Sequence, residues 1–265
     1  GILFQPHPAF AKDENNNYLY HDLDIVDLKN VNTLSDFDNT GTRELLASDY
    51  IYQIKRMAHP RIHSPIAGLM EKYILGLDKF SDELKNIYQT KSNSGFLNLN
   101  EYELSGAKLI DEYTFEITLK EKYPQFLYWL SMSFFSPMPW EADLFYSQKG
   151  FAEKNISLDW YPIGTGPFML TENNPNRRMV LERNPNFRGE LFPIDGEKTD
   201  RNMGLLDDAG KKMPFIDKAI YSLEKESIPA WNKFLQGYYD TSGIVSDSFD
   251  QAVQFNTQGD AQLTE

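Results

Sequence analysis

Pro162-Ile163-Gly164-Thr165-Gly166-Pro167-Phe168-Met169-Leu170, followed by Met179-Val180-Leu181-Glu182-Arg183-Asn184-Pro185-Asn186-Phe187, is the stretch on which the fold turns. Proline fixes φ and glycine permits positive φ, so Pro162 to Pro167 reads as a tight, non-helical turn. Phe168-Met169-Leu170 and Met179-Val180-Leu181-Glu182 are strand-forming runs. Asn173-Asn174-Pro175-Asn176 between them supplies turn residues, which predicts an antiparallel hairpin.

Working outward, Ala107 to Ile110 and Tyr113 to Leu119 alternate in period two across Asp111-Glu112 and predict a second hairpin. Pro124 opens a short helix over Gln125 to Leu130, where its missing amide does no harm. Phe134-Phe135-Ser136-Pro137-Met138-Pro139 is expected to be extended, because residues before proline avoid the helical region. A further helix is expected from Pro139 to about Gln148. Upstream, a helix begins at Ser48-Asp49, with Ser48 as the cap and Asp49 against the positive end of the dipole. Tyr50, Ile51, Ile54, Met57 and Ala58 follow at helical spacing until Pro60 ends the run. A second helical stretch reads from about Ile66 to Leu77. Residues 78–100, including Ser92-Asn93-Ser94-Gly95, read as a polar loop. Residues 1–47 predict short extended pieces joined by loops, for example around Leu23 to Leu28. Downstream, residues 188–214 read as a surface insertion with one helical turn, and Lys218 to Leu223 as a strand. Pro229 to Leu235 is expected to form a helix stopped by Gly237, and Tyr239-Asp240 to start a short strand.

The chain has 265 residues, 41% of them apolar, enough to bury the core of one large or two ordinary domains. Its 26 basic residues against 39 acidic ones give a formal charge of −13. Such a surface repels phosphate backbones and anionic headgroups, which argues against nucleic-acid and membrane-surface roles. The acids form no block, so solubility accounts for them. The absence of cysteine removes thiol catalysis, thiolate metal sites and disulfides. No apolar run approaches a membrane span. The start, Gly1-Ile2-Leu3-Phe4, has neither an initiator Met nor leader features, so either a leader has been removed or the chain is excised from something longer.

The chemistry-bearing patterns are weak. Asp36-Phe37-Asp38-Asn39-Thr40-Gly41 imitates the start of a calcium loop, but Ala47 stands where the bidentate Glu is required. His59 and His63 have the spacing of a metal-binding helix, yet Pro60 between them makes the segment a loop, so no metal site is expected. No G-x-S-x-G turn is present, and His7, His21, His59 and His63 all fall early in loop-like sequence. Gly164-Thr165-Gly166 lacks phosphate-loop spacing and precedes a strand, not a helix. No pair among the acidic residues is singled out for hydrolysis, so a secreted carboxylate-dependent hydrolase stays open only as an alternative. No catalytic residue, metal ligand or cofactor is assigned.

Gly164-Thr165-Gly166-Pro167-Phe168-Met169-Leu170 with Val180-Leu181-Glu182-Arg183-Asn184-Pro185-Asn186-Phe187 resembles the paired strands of the dipeptide- and oligopeptide-binding proteins of bacterial ABC importers, solute-binding family 5. Further blocks match in the same order: Arg43 through Arg56, Asp111 through Leu119, Tyr123-Pro124-Gln125-Phe126-Leu127 with Phe135-Ser136-Pro137-Met138-Pro139, and Phe234 through Asp240. The resemblance implies a mixed α/β (α+β) fold of the periplasmic-binding-protein type II kind, in which two lobes close over a cleft. Residues 1–163 would supply most of an extra subdomain of the first lobe, and 164–265 part of that lobe leading toward the hinge, with the second lobe absent. It implies a non-enzymatic, periplasmic or cell-surface protein, secreted or a lipoprotein, that hands peptides or similar solutes to membrane permease subunits. Oligosaccharides or a chelated metal are the alternative ligands. The long 188–214 insertion points to a large-sized branch of the family. By position in the family, Ser133, Phe134 and Phe135 border the cleft, and Thr165 in the crossover turn is a further candidate contact.

Overall fold

The structure, a computed structural model, describes residues 1–90, 96–255 and 260–263. The Ser92 to Gly95 part of the expected polar loop lies outside the described residues. The chain divides into two compact units, residues 1–171 with 181–218 and residues 172–180 with 219–265.

In the first unit, α1 (Ala47–Met57) is the central element. Its buried Ile51, Tyr52, Ile54 and Met57 lie on one stripe and anchor the core cluster. The cap differs from the expectation. Ser48 lies inside the helix, and the Asp49 carboxylate reaches back to accept from the Leu46 amide at 2.9 Å. α2 (Ala67–Tyr73) is shorter than the predicted Ile66–Leu77 helix. Ile74 leaves it to bridge Leu119, and Gly76 at φ +75° turns the chain in a conformation that side-chained residues resist. α3 (Leu77–Thr90) then replaces most of the expected 78–100 loop. Leu77, Phe80 and Leu84 are buried at helical spacing, and this apolar seam outweighs the polar residues between them.

β1 (Ala107–Asp111) and β2 (Thr114–Ile117) form the predicted hairpin, with Ala107 opposite Ile117 and an irregularity before the turn. α4 (Phe126–Leu130) and α5 (Trp140–Tyr146) follow. Between them Ser133–Phe135 forms a 3-10 turn, so Phe134 and Phe135 depart from the extended segment expected over Phe134 to Pro139, whereas Ser136 and Pro139 keep extended ψ angles of 131° and 128°. Only the residues directly before proline feel its steric restriction. Residues 25–30, expected near an extended piece, are successive turns closed by bonds such as Asp27 amide to Asp24 carbonyl, 3.0 Å.

β3 (Phe168–Asn174) and β4 (Arg178–Arg183) pair as predicted and are joined by β7 (Lys218–Ser222) in a sheet of order β3-β4-β7. The insertion carries a two-stranded ribbon, β5 (Glu190–Leu191) with β6 (Lys212–Met213), around α6 (Lys198–Asn202).

In the second unit, α7 (Ser227–Leu235) ends before Gly237, which has the expected positive φ of 77°. Trp231 is buried there and its indole donates to the Gln251 side chain at 3.0 Å. Glu224 receives both Lys233 and the Tyr239 hydroxyl. Tyr239-Asp240 forms no strand: the Tyr239 side chain is tied to Glu224, not placed in a ladder. α8 (Phe249–Ala252) leads to β8 (Val253–Phe255), paired with β9 (Ala261–Leu263). No described helix is long and apolar enough to cross a membrane.

Candidate functional site

Two of the sequence blocks quoted above, Gly164 to Phe187 and the start of Arg43 to Arg56, meet in one knot of the first unit, built around Phe4 and Arg43. Gln5 grips the crossover turn: its amide donates to the Gly164 carbonyl at 2.9 Å, and its side-chain oxygen accepts from the Gly164 amide at 3.1 Å. Asn184, only 2% exposed, donates from Nδ2 to the Gly166 carbonyl at 2.8 Å and accepts the Asn186 amide at 3.0 Å. Asn186 Nδ2 and Thr42 Oγ1 both donate to the Phe4 carbonyl, at 2.8 and 2.6 Å. Thr165 is thus half-buried in a turn clamped on either side.

Arg43 completes the knot. Its guanidinium forks to Asp49 (2.7 and 2.9 Å) and to Glu141 (2.6 and 2.7 Å), carboxylates that are each 2% exposed. It also lies over the Phe4 and Phe10 rings, 5.3 and 5.5 Å from their centroids. Although burial opposes its charge, the two carboxylates hold Arg43 protonated beyond its ordinary range. Tyr18 donates to Glu141 at 3.1 Å, and burial together with that carboxylate pushes its pKa up to about 12. Since its carboxylates and donors are paired, the knot is built to hold shape and offers no free acid or base.

His7, fully buried, belongs to the same region. Its Nδ1 accepts the Ala9 amide at 3.0 Å, so Nε2 carries the proton and faces the Tyr146 hydroxyl at 2.8 Å, which donates onward to the Tyr161 carbonyl at 2.7 Å. Burial lowers its pKa from 6.5 to about 3. The unfolded chain therefore binds a proton near pH 6.5 that the folded chain refuses, so stability is full above that pH and falls as acid is added, by about 1.4 kcal/mol per unit at the steepest. In thermal melts from pH 7 to pH 4, the wild type is expected to lose stability more steeply than His7→Asn. Equal slopes would contradict this role.

The structure places the other predicted residues on a different part of the unit. Ser133 is exposed and Phe134 half-buried, its carbonyl accepting from Gln53 at 2.8 Å. Phe135 is 3% exposed and packs edge-on against Phe126 at 6.0 Å. It closes an apolar cavity of about 50 Å³ with Tyr50, Ile54, Phe115 and Leu130. That volume is too small for a solute. Leu127 and Tyr128 on α4, with Met132 beyond it, are exposed beside Ser133. No hydrogen bond or ring contact among the described residues joins Thr165 to the 133–135 turn.

A concavity of about 390 Å³ opens at the end of α1, lined by Arg56, His59, Arg61, Asp143 and Asp159 together with apolar residues such as Ile62 and Leu158. Asp143 there is engaged by Arg56 at 3.2 Å and by the Tyr52 hydroxyl at 2.7 Å. His59 Nδ1 accepts the Arg61 amide at 3.2 Å, and His21 bonds the Ala9 carbonyl at 2.8 Å. These bonds tie one nitrogen of each imidazole to a backbone group. Sequence reasoning missed Gln5, Asn184, Asn186 and the Arg43 pairs as one assembly, since the links that join them, Gln5 to Gly164, Asn186 to Phe4 and Arg43 to Glu141, span distant parts of the chain.

Residues 37–262 match the profile of the bacterial extracellular solute-binding proteins, family 5 Middle. The chain is 28% identical over 196 residues to the periplasmic oligopeptide-binding protein OppA of Escherichia coli, covering 69% of this chain and 32% of that protein. Against OppA of Salmonella typhimurium the identity is 29% with the same coverage. The chain thus spans about a third of the length of these curated relatives. Among solved structures, Listeria monocytogenes OppA bound to peptide aligns with a TM-score of 0.51 at 15% identity, over 80% of this chain and 33% of that one. The substrate-binding domain of an oligopeptide ABC transporter from Bacillus anthracis aligns at 0.50 and 18%, over 78% and 32%. These alignments give the fold as that of the type II periplasmic-binding proteins. With most of its length matched and its fold shared, the chain belongs to the bacterial extracellular solute-binding proteins, family 5.

Proposed function

We propose that this chain is part of the extracytoplasmic peptide-binding component of an ABC importer, which captures a peptide without altering it and delivers it to a membrane permease. The family match over residues 37–262 carries this reading, and the curated relatives, both periplasmic oligopeptide-binding proteins, support the choice of ligand. In this reading residues 1–163 form most of an extra subdomain of the first lobe and 164–265 part of that lobe, and the second lobe is contributed by sequence outside this chain. The mechanism is population shift. Peptide touches both lobes only when they close, so differential contact favours the closed form that the permease recognises.

The knot at Phe4 and Arg43 supports such a mechanism by making the first unit rigid, so that binding energy is not lost in ordering it. Ser133 and Phe134 are the candidates with accessible surface for a ligand contact, with Phe135 behind them as packing and Thr165 in the clamped turn. The test is a thermal-shift series on the full-length protein with peptides of two to five residues. A bound peptide at a hundredfold excess over Kd is expected to stabilise by about 2.7 kcal/mol. Absence of a shift with every peptide length would overturn the choice of ligand.

A further inference from the structure

We propose that the first unit also binds a small carboxylate-bearing solute in a cleft between α1, α3 and β1, with the Lys55 ammonium as its anchor. This goes beyond the peptide-capture reading and does not depend on it. The cleft has a volume of about 640 Å³. That lies in the range of small-molecule sites. Ser48, Ile51 and Lys55 face it from α1, Lys79, Phe80 and Glu83 from α3, and Ala107 to Leu109 from β1. Its buried lining residues, including Ile51, Phe80 and Leu104, make an apolar floor. Ser48, Asn100 and Ser105 add hydrogen-bonding groups.

Lys55 belongs to that floor and is only 8% exposed. Lysines are seldom so buried unless paired. Yet the ammonium makes a single hydrogen bond among the described residues, to the Leu99 carbonyl at 3.2 Å, and no ion pair. Two of its three N–H donors are left for another acceptor. Burial lowers its pKa, with Glu103 opposing the shift only in part. The remaining charges of the cleft balance, Lys79 and Lys108 against Glu83 and Glu103, so the surplus positive charge is that of Lys55. A carboxylate is the group whose oxygens satisfy both free donors and the charge together. It can come from a free metabolite-sized acid or from the C-terminus of a peptide.

The experiment is calorimetric titration of the full-length protein, wild type and Lys55→Met, with succinate, trialanine and trialanine amide. Succinate or trialanine is expected to bind the wild type and to bind Lys55→Met about tenfold or more weakly, the loss of a charge-assisted contact. Binding of succinate identifies a free acid as the ligand class. Binding of trialanine but not of its amide, lost in Lys55→Met, identifies a peptide terminus. If Lys55→Met fails to fold, the surface variant Lys79→Gln/Lys108→Gln decides, with a severalfold loss of carboxylate affinity expected. Peptide held between the lobes would be unaffected by Lys55→Met, so the Lys55 site is read as the binding event that the variant weakens. No binding by either carboxylate, or no binding event that Lys55→Met or the surface variant weakens, would overturn the proposal.

Discussion

Arg43→Met is expected to destabilise the first unit by about 3–5 kcal/mol, measured as a shift in the urea unfolding midpoint. The size follows from what remains. Asp49 and Glu141 keep their burial, 2% exposed each, and lose every strong donor of the fork at once. Asp49 would retain only the Leu46 amide and Glu141 only the Tyr18 hydroxyl. Two buried carboxylates side by side then favour uptake of a proton, so the variant is expected to recover part of its stability as pH is lowered. A triple variant, Arg43→Met/Asp49→Leu/Glu141→Leu, removes all three charges and is expected to be closer to wild type than the single change, because paired burial of charge is itself expensive. A single variant within 1 kcal/mol of wild type, by the same denaturant measurement, would show that the knot does not hold the unit together; the margin is roughly that of an exposed ion pair.

Asn184→Ala is the second large effect, a loss of about 2–4 kcal/mol. The substitution strands the Gly166 carbonyl and the Asn186 amide, both bonded to the Asn184 side chain in a nearly closed site. Each orphaned group costs about 1–3 kcal/mol where water cannot reach it. Asn184→Asp separates the two bonds, since it keeps an acceptor for Asn186 and places a carboxylate oxygen against the Gly166 carbonyl. It is expected to be no better than alanine at neutral pH and to improve on acidification, when the protonated acid can donate. Chemical denaturation at two pH values checks both variants. An alanine variant with unchanged stability would mean that water replaces both bonds.

The local parts of this fold were legible where the signal is short-range. Both hairpins follow from alternation and turn residues, and Gly237 stops α7 as a left-handed residue should. α3 was hidden because its buried Leu77, Phe80 and Leu84 stand among many charged and amide side chains, which makes the stretch look like loop by composition. Its period, and not its polarity, was the informative quantity. The 3-10 turn at Ser133–Phe135 escaped because a proline three residues on says little about the residues before its immediate neighbour. The knot could not be read at all from local pattern. Asn186 and Phe4, or Gly164 and Gln5, are brought together by the path of the whole unit. Lys55 did carry a trace in sequence, a lone cation on a stripe otherwise made of Ile51, Ile54 and Ala58.

The family resemblance and the physical reading meet at the same residues. The block Gly164 to Phe187 ties the crossover turn to the amino-terminal segment, and Arg43 with Asp49 from a second block ties the start of α1 to Glu141. Their packing accounts for why these residue types are needed at those places.

Whether the protein holds a peptide or consumes it is tested most directly by incubating the full-length protein with a stoichiometric amount of a tripeptide, recovering the complex and weighing its contents by mass spectrometry. Capture without chemistry predicts one intact peptide per chain, released unchanged on denaturation. Recovery of shortened peptide, increasing with time of incubation, would contradict it.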